Sequence, residues 1–153
     1  MRKLLILLLL LAGMVVAKPA PLSSKDGAFT FAPPEPYKVI NNPNPTNMLG
    51  VVCQTSKSLV VVTRTKPVRQ TAAQLVKNLP RQVPWHITAS RLGQVGAQPA
   101  ALFEADGVMK DLPAYKTVIA VVSSPEALYT FQIHYLKGDA ASHEAWLQSV
   151  TWK

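Results

Sequence analysis

The chain has 153 residues, 48% of them hydrophobic and 16% charged, which suits one globular domain with one hydrophobic core. Sixteen Lys and Arg residues outnumber eight Asp and Glu residues, so the net charge is +8. Cys53 is the only cysteine, which excludes an intrachain disulfide and leaves stability to buried apolar surface. Because Cys53 shares strand parity with Leu49 and Val51, we predict that its side chain is buried.

The first 17 residues are predicted to be a secretory signal peptide. Arg2 and Lys3 precede an unbroken apolar run over residues 4–16, and Val15 and Ala17 are the small residues of a cleavage site. Such a run is too short for a comfortable membrane span, although an uncleaved anchor is the alternative. We expect an exported protein, periplasmic, lumenal or secreted, with no transmembrane span in the mature chain.

After the signal peptide, residues 18–27 are predicted to form a flexible, proline-rich tether. The alternating Phe29 and Phe31 predict a short edge strand that enters a proline-stiffened loop, since proline cannot donate to a strand ladder. Residues 28–153 are then expected to form a single domain.

Two valine-rich strands are predicted next, at about residues 48–54 and 59–65. A helix is predicted over residues 72–79, where apolar side chains follow the i, i+3, i+4, i+7 spacing of one helix face. Thr71 and Gln74 have the spacing of a capping box, which satisfies two backbone donors at the start of a helix.

Four more strands are predicted from alternating hydrophobicity, with a turn at residues 93–99 between the first two of them. They cover residues 84–92, 100–107, 115–124 and 127–137. A closing helix over about residues 140–149 has Asp139 as its candidate cap. Strands dominate and follow one another in hairpin order, so we predict an α+β fold, a mainly antiparallel sheet packed against two helices.

The three histidines of the chain are candidates for metal ligands or for parts of a polar site. His134 lies opposite the apolar row formed by alternate residues of 129–135, and His86 is on the polar side of its own strand, so both are expected to face water. If the two strands were neighbours, the two histidines could instead form a small polar site. Asp139 and His143, four residues apart, are the candidate metal ligands, but metal sites normally need three or four ligands, so we expect no metal and no cofactor.

The sequence contains no G-x-S-x-G and no H-E-x-x-H motif. Paired carboxylates for glycoside cleavage are the alternative offered by three acids that cluster in sequence, Glu104, Asp106 and Asp111. The alternation of Glu104 and Asp106 with apolar residues such as Phe103 is typical of a solvated strand face, which we favour. We therefore predict that the protein is not an enzyme.

Charge is distributed unevenly along the chain. No acidic residue lies between Pro36 and Phe103. The basic side chains of this stretch that we predict to form a contact surface are Lys57, Arg64, Lys66, Arg69, Lys77 and Arg81. The expected partner is an acidic protein or an anionic envelope component, and nucleic acid is not expected for an exported protein. The alternative is a solvated surface that only keeps the protein soluble.

Several segments carry a resemblance to a known family: FTFAPPEPY, LVVVTRTKP, GAQPAALFEADG and ALYTFQIHYLKGDAASHEAWLQSVTW. Together they cover nearly the whole mature chain, which resembles the PsbP-like family of extrinsic photosystem II subunits, DcrB-type periplasmic proteins and a Ran-binding nuclear import factor. One departure is that the family often has Trp after its early proline, whereas here the nearest aromatic residue is Tyr37. The resemblance implies an antiparallel sheet packed between helices, in proteins that bind and assemble with others and share no catalytic residues.

The sequence as a whole therefore predicts a non-catalytic, exported binding or assembly module. Two alternatives stay open. One is a small exported hydrolase or metal-dependent enzyme that uses Asp139, His143, His134 or His86. The other is a carrier of a small apolar ligand, held in a pocket between the sheet and a helix.

Overall fold

The computed structural model describes residues 19–153, and the predicted signal peptide, residues 1–17, lies outside them. Its strands are β1 (Leu22–Ser23), β2 (Phe29–Phe31), β3 (Tyr37–Val39), β4 (Asn47–Cys53), β5 (Leu59–Thr65), β6 (His86–Val95), β7 (Gln98–Asp106), β8 (Lys116–Ser123), β9 (Leu128–Tyr135) and β10 (Thr151–Trp152). Helix α1 (Ala72–Asn78) continues into a 3₁₀ segment at Leu79–Arg81, and α2 (Ala140–Glu144) into another at Ala145–Ser149. No helix within this described part is long and apolar enough to cross a bilayer.

The strands form two sheets. The larger has seven strands in the order β3-β4-β5-β9-β8-β7-β6, and the smaller has three in the order β1-β2-β10. Neighbouring strands are antiparallel in both sheets. The predicted α+β class, a mainly antiparallel sheet with two helices, is confirmed.

The seven-stranded sheet is buried on both faces. On one face the small sheet and the C-terminal segment cover a first core cluster centred on Phe29, Phe131 and Leu147. On the other face α1 packs over β6, β7 and β8 and covers a second core cluster, which consists of Leu75, Ala101, Phe103, Ala105, Ile119 and Val121. The prediction of one apolar and one water-facing side is therefore wrong for the central strands. The register gives the reason. Phe131 lies opposite Ala120 of β8, and Phe103 lies opposite the adjacent residue, Ile119. Because adjacent residues of a strand point to opposite faces, the two phenylalanines lie on opposite faces of the sheet.

Local capping chemistry fixes where both helices begin. The Gln74 amide N–H donates to Thr71 Oγ1 at 3.2 Å, and the Thr71 N–H donates to Gln74 Oε1 at 2.8 Å, so the predicted capping box is present. Asp139 caps α2 as predicted, its Oδ1 accepting from the Ser142 N–H at 2.8 Å. Helix α1 ends one residue earlier than predicted because Pro80 has no N–H to continue the ladder.

The segment predicted as a tether is partly folded. Leu22 and Ser23 pair with Phe31 and Thr30 in the small sheet. Asp26 accepts a hydrogen bond from the Tyr129 hydroxyl at 2.7 Å. Residues 22–27 are therefore held against the sheets, and the prediction of a flexible tether is wrong for them. The sequence did not predict this because a two-residue strand is too short to show alternation and the Asp26 contact is made by a single side chain.

The β6–β7 turn is tighter than predicted, because only Gly96 and Ala97 lie between the two strands. Gly96 has a φ of +57° and packs so close to the Val150 carbonyl that a Cβ would overlap the carbonyl oxygen. Gly107 also has a positive φ, +74°, but nothing lies within 4 Å of where its Cβ would be. Alanine substitution at the two positions therefore distinguishes the free-energy cost of a positive φ, which both share, from the cost of a steric overlap, which only Gly96 has.

We expect Gly96→Ala to lower the free energy of unfolding by about 2 to 3 kcal/mol, since it adds a steric overlap to the left-handed conformation. Gly107→Ala is the control and should cost only about 1 kcal/mol, the conformational part. Urea denaturation followed by tryptophan fluorescence measures both values. Equal losses in the two variants would contradict the close packing of Gly96 on Val150.

Candidate functional site

The six predicted basic residues are all exposed, but they do not form one surface. Arg64 lies near the end of β5, and Lys66 and Arg69 follow in the loop that leads to α1. Lys57 precedes β5 and lies at the opposite end of that strand, roughly 20 Å from Arg64 at the rise of an extended chain. Lys57 is thus separate from the other three.

Lys77 and Arg81 occupy a third position. Lys77 is in the last turn of α1, and Arg81 ends the following 3₁₀ segment. Because α1 lies across the second core cluster, both residues belong to the outer surface of the helix. The structure therefore concentrates Arg64, Lys66 and Arg69 at one end of the sheet, which we call the basic end.

The basic end contains an open groove of about 680 Å³. Its walls are residues 67–71 and Gln74 on one side and the β8–β9 turn, residues 123–125, on the other. The Ser123 hydroxyl donates to the Val68 carbonyl at 3.2 Å, which holds the two walls together. Arg69 is the charged side chain of this groove, which we call the basic groove.

A second cleft, of about 400 Å³, lies on the other side of the same β8–β9 turn. Tyr129 and Trp152 line it, with their rings 5.3 Å apart in an edge-to-face arrangement. The Trp152 indole N–H donates to the Val95 carbonyl at 2.8 Å, which fixes the ring. Glu126 and Lys153 provide one charge of each sign. This end of the molecule therefore offers two neighbouring concave surfaces.

Arg64 is tied into the fold by Asp26. The Arg64 Nε lies 3.5 Å from Asp26 Oδ2, the same oxygen that accepts from the Tyr129 hydroxyl. Burial alone would raise the pKa of Asp26, but hydrogen bonds from Tyr129 and Ser24 and the Arg64 charge together lower it. Asp26 is therefore ionised at neutral pH and partly neutralises Arg64, which leaves Lys66 and Arg69 as the less constrained cations.

His134 is buried, so the prediction that it faces water is wrong. It lies on β9, the middle strand of the large sheet, with Leu59 and Thr117 on either side. Its Nδ1 lies 2.9 Å from Thr117 Oγ1, and burial lowers its pKa to about 4. His86 is exposed on the edge strand β6, and β7 and β8 separate it from His134. The alternative of a polar site shared by the two histidines is therefore wrong.

The candidate metal ligands Asp139 and His143 are both used inside the fold. His143 is buried and stacks on Tyr135, with ring centroids 4.1 Å apart. Its Nδ1 lies 2.8 Å from the Asp139 carbonyl oxygen, and its Nε2 lies 3.3 Å from Ser58 Oγ. The Asp139 carboxylate caps α2. Residues 19–153 contain no group of three or more His, Cys, Asp or Glu side chains placed to hold a metal ion.

Ser58 and His143 together resemble the nucleophile and base of a hydrolase, an arrangement that sequence reasoning missed. A carbonyl oxygen only accepts, so the hydrogen bond to Asp139 places the proton on Nδ1 and leaves Nε2 to accept from the Ser58 hydroxyl. Ser58, however, is 0% exposed, and a substrate could not reach its oxygen. The pair joins α2 to the β4–β5 turn. A separation of 85 residues explains why no local motif indicates it.

Cys53 is buried, as predicted. Burial, with a smaller contribution from the nearby Glu35 charge, raises the pKa of its thiol to about 12. The thiolate, which is the nucleophilic form, is therefore negligible at neutral pH. Cys53 packs as a small apolar side chain.

No protein-family model matches the sequence, and no curated protein matches it either. Solved structures do match. The solution structure of cyanobacterial PsbP (CyanoP) from Synechocystis sp. PCC 6803 has a TM-score of 0.62 at 10% identity, over 92% of this chain and 96% of that one. The fold is PsbP-like.

A crystal structure from Bacteroides thetaiotaomicron VPI-5482 has a TM-score of 0.60 at 9% identity over 89% of this chain. The present chain spans 49% of that protein, about half its length. The PsbP-like resemblance predicted from sequence segments is thereby confirmed at the level of the fold. At 9 to 10% identity the shared fold does not assign a role to any individual residue of this chain.

Proposed function

We propose that the protein is a non-catalytic, exported binding or assembly module that contacts an anionic protein or envelope component through its basic end. The observation that carries the proposal is the clustering of Arg64, Lys66 and Arg69 beside the basic groove. Exposed charge of one sign next to a concave surface attracts a partner of opposite charge and orients it before contact. A protruding acidic segment of the partner would fit into the basic groove.

Other features support the remaining parts of the proposal. The predicted leader over residues 1–17 supports export. The buried Ser58 and the high pKa of Cys53 favour a role without nucleophilic catalysis. The space between α1 and the sheet is filled by the second core cluster, which favours a binding surface over a carrier pocket at that place. The folded unit is proposed to be a single domain whose first strand begins at Leu22.

Charge reversal tests the basic end. We expect the double variant Lys66→Glu, Arg69→Glu to lose capture of envelope partners in a pull-down by at least about tenfold, because exposed opposite charges would be replaced by repulsion. Arg64 is left intact since it contacts Asp26 and its removal would also affect folding. Capture by the wild type should weaken as the salt concentration rises toward 0.5 M, because the Debye screening length then falls to about 4 Å and exposed charges attract each other less.

The matched control is Lys110→Glu, Lys137→Glu, which changes the net charge equally at the opposite end of the sheet. Its capture should equal that of the wild type. Mass spectrometry of captured proteins and cosedimentation with anionic phospholipid vesicles separate a protein partner from a lipid surface. A third variant, Lys77→Glu, Arg81→Glu, shows whether the contact extends over α1. Capture that survives in the Lys66, Arg69 variant would rule out the basic end.

A further inference from the structure

Strand β6 (His86–Val95) lies at one edge of the seven-stranded sheet and pairs only with β7. At ten residues it is the longest strand in the described part of the chain. The edge of a sheet carries backbone N–H and C=O groups without strand partners, which makes it a template for a further strand. Strand β3, at the other edge, has only three residues and follows the prolines at positions 33, 34 and 36. The edge at β6 is therefore the better suited of the two to accept a strand.

The register between β6 and β7 shows which backbone groups of β6 point outward. Gln94 lies opposite Pro99, which has no N–H and so cannot form a hydrogen-bonded pair with it. Because hydrogen-bonded and non-hydrogen-bonded pairs alternate, Gln94, Leu92 and Ser90 all turn their N–H and C=O groups away from β7. We call the backbone groups of these three residues the open edge.

The open edge is nearly free of internal partners. The Gln148 side chain donates to the Gln94 carbonyl at 3.3 Å. The outward backbone groups of Ser90 and Leu92 form no backbone hydrogen bond within residues 19–153. These groups are therefore available to a second strand.

The segment around the open edge has the shape and composition of a strand that can pair. The β-bulge lies between Ile87 and Ala89, so residues 89–95 continue as a regular strand of about 23 Å. They include no proline and no lysine, the residues that commonly block pairing at sheet edges. Leu92, in the middle of the segment, is 60% exposed. An apolar side chain is thus presented to solvent beside free backbone donors and acceptors.

A second copy of the same strand is complementary to the open edge. Antiparallel pairing about a two-fold axis at Leu92 places this residue opposite Leu92 of the second copy, and Ser90 opposite Gln94 of the second copy. All three resulting pairs use outward-pointing backbone groups, which gives about six hydrogen bonds between the chains. The two leucine side chains contact each other at the axis.

Charge does not oppose this pairing. Arg91 is the only charged residue of 89–95, and it already binds Glu104, at 3.1 Å, and Glu144. In the two-fold register Arg91 lies opposite Gly93 of the second copy, so no like charges stand directly opposite each other. None of the three cations of the basic end belongs to β6.

We propose that the protein associates with a second copy of itself through the open edge, so that two seven-stranded sheets join into one continuous antiparallel sheet. A contact of one strand with one strand is small, and such a dimer is weak and reversible. The basic end lies at the Val95 end of β6, so antiparallel pairing directs the two basic ends to opposite sides of the dimer. Pairing does not depend on what the basic end binds, and the failure of either proposal leaves the other standing.

Sedimentation velocity and amide hydrogen exchange at about 20 µM and about 1 mM protein test the proposal. The sedimentation coefficient should rise toward that of a dimer at the higher concentration. Amide exchange at Ser90, Leu92 and Gln94 should slow there by at least about threefold, since their N–H groups become hydrogen-bonded. Exchange at Arg91 and Gly93 should not change, because their N–H groups already bond to β7.

Substitutions at Leu92 test the register. Leu92→Lys places two like charges opposite each other at the two-fold axis and should raise the dissociation constant of the dimer at least about tenfold. Leu92→Pro should have a similar effect, because it removes an outward N–H without breaking a hydrogen bond to β7. The matched control is Val39→Lys. Val39 is also 60% exposed but lies on β3, at the other edge of the sheet, so association should be unchanged.

The dimer is disproved if the protein sediments as a monomer at about 1 mM, or if Leu92→Lys leaves the dissociation constant unchanged. An equal weakening by Val39→Lys would assign the association to net charge or to β3. Leu92→Lys keeps the test decisive if Leu92→Pro fails to fold. A monomer whose Ser90 and Leu92 amides become protected only on binding a different protein would show that the open edge serves that protein, and would also overturn the dimer.

Discussion

Lowering the pH from 7 to 4.5 is expected to reduce the free energy of unfolding by about 2 to 3 kcal/mol through His134 alone. Burial lowers the pKa of His134 from 6.5 to about 4 in the folded protein. The unfolded chain therefore binds a proton as the pH falls through 6.5, while the folded protein does not until about pH 4. Stability is present at neutral pH and is lost progressively as the pH falls between these two values.

Urea denaturation at several pH values between 7 and 4.5 measures this slope. His134→Gln should flatten it, whatever its effect on stability at pH 7, and His86→Gln should leave it unchanged because His86 is exposed. The pKa of Asp26 and of Asp139 is lowered from 3.8, so these carboxylates act below the tested window. A steep slope in the His134→Gln variant would show that another group is responsible.

The second large effect concerns the two core clusters. Phe131→Ala and Phe103→Ala are each expected to lower the free energy of unfolding by about 3 to 5 kcal/mol, since each removes a fully buried ring and leaves a cavity. The two rings lie on opposite faces of the same sheet. Similar losses of unfolding free energy would show that both faces of the sheet contribute to stability. If one face were exposed to solvent, only one of the two substitutions would cause a large loss.

Chemical denaturation of the two variants and of Leu92→Ala measures these losses. Leu92 lies on the edge strand β6 and is 60% exposed, so its truncation should change stability by less than about 0.5 kcal/mol. If Phe103→Ala behaves like Leu92→Ala, α1 does not cover a core. Near-native fluorescence of the folded variants controls for misfolding.

Features set by neighbouring residues were predictable from the sequence. The Thr71–Gln74 capping box and the Asp139 cap act within three residues, so their chemistry is visible in the chain itself. The alternation of residues 129–135 likewise defines a strand without any knowledge of its neighbours. Such local signals were sufficient for the α+β class.

Features set by register and by distant contacts were not predictable. Alternation shows that neighbouring residues point to opposite sides, but it does not show which face of the sheet each side is, so the central His134 was misplaced. Strand β3 (Tyr37–Val39) was missed because prolines surround it. Lys57 and Arg64 are close in sequence but distant in space, since an extended strand separates them.

Strand β2 has a particular position in the chain, because it pairs with β1 on one side and with β10 on the other. Each pairing involves only two residue pairs, at Leu22 and Ser23 and at Thr151 and Trp152. Within residues 19–153, the first and the last strand thus pair with the same strand, β2, whose Phe29 and Phe31 belong to the first core cluster. For protein production, removal of the residues up to Asp26 would delete β1, and a bulky tag fused directly to Trp152 would disturb β10. Either change would leave one edge of β2 unpaired, so an affinity tag is best attached through a spacer after Lys153.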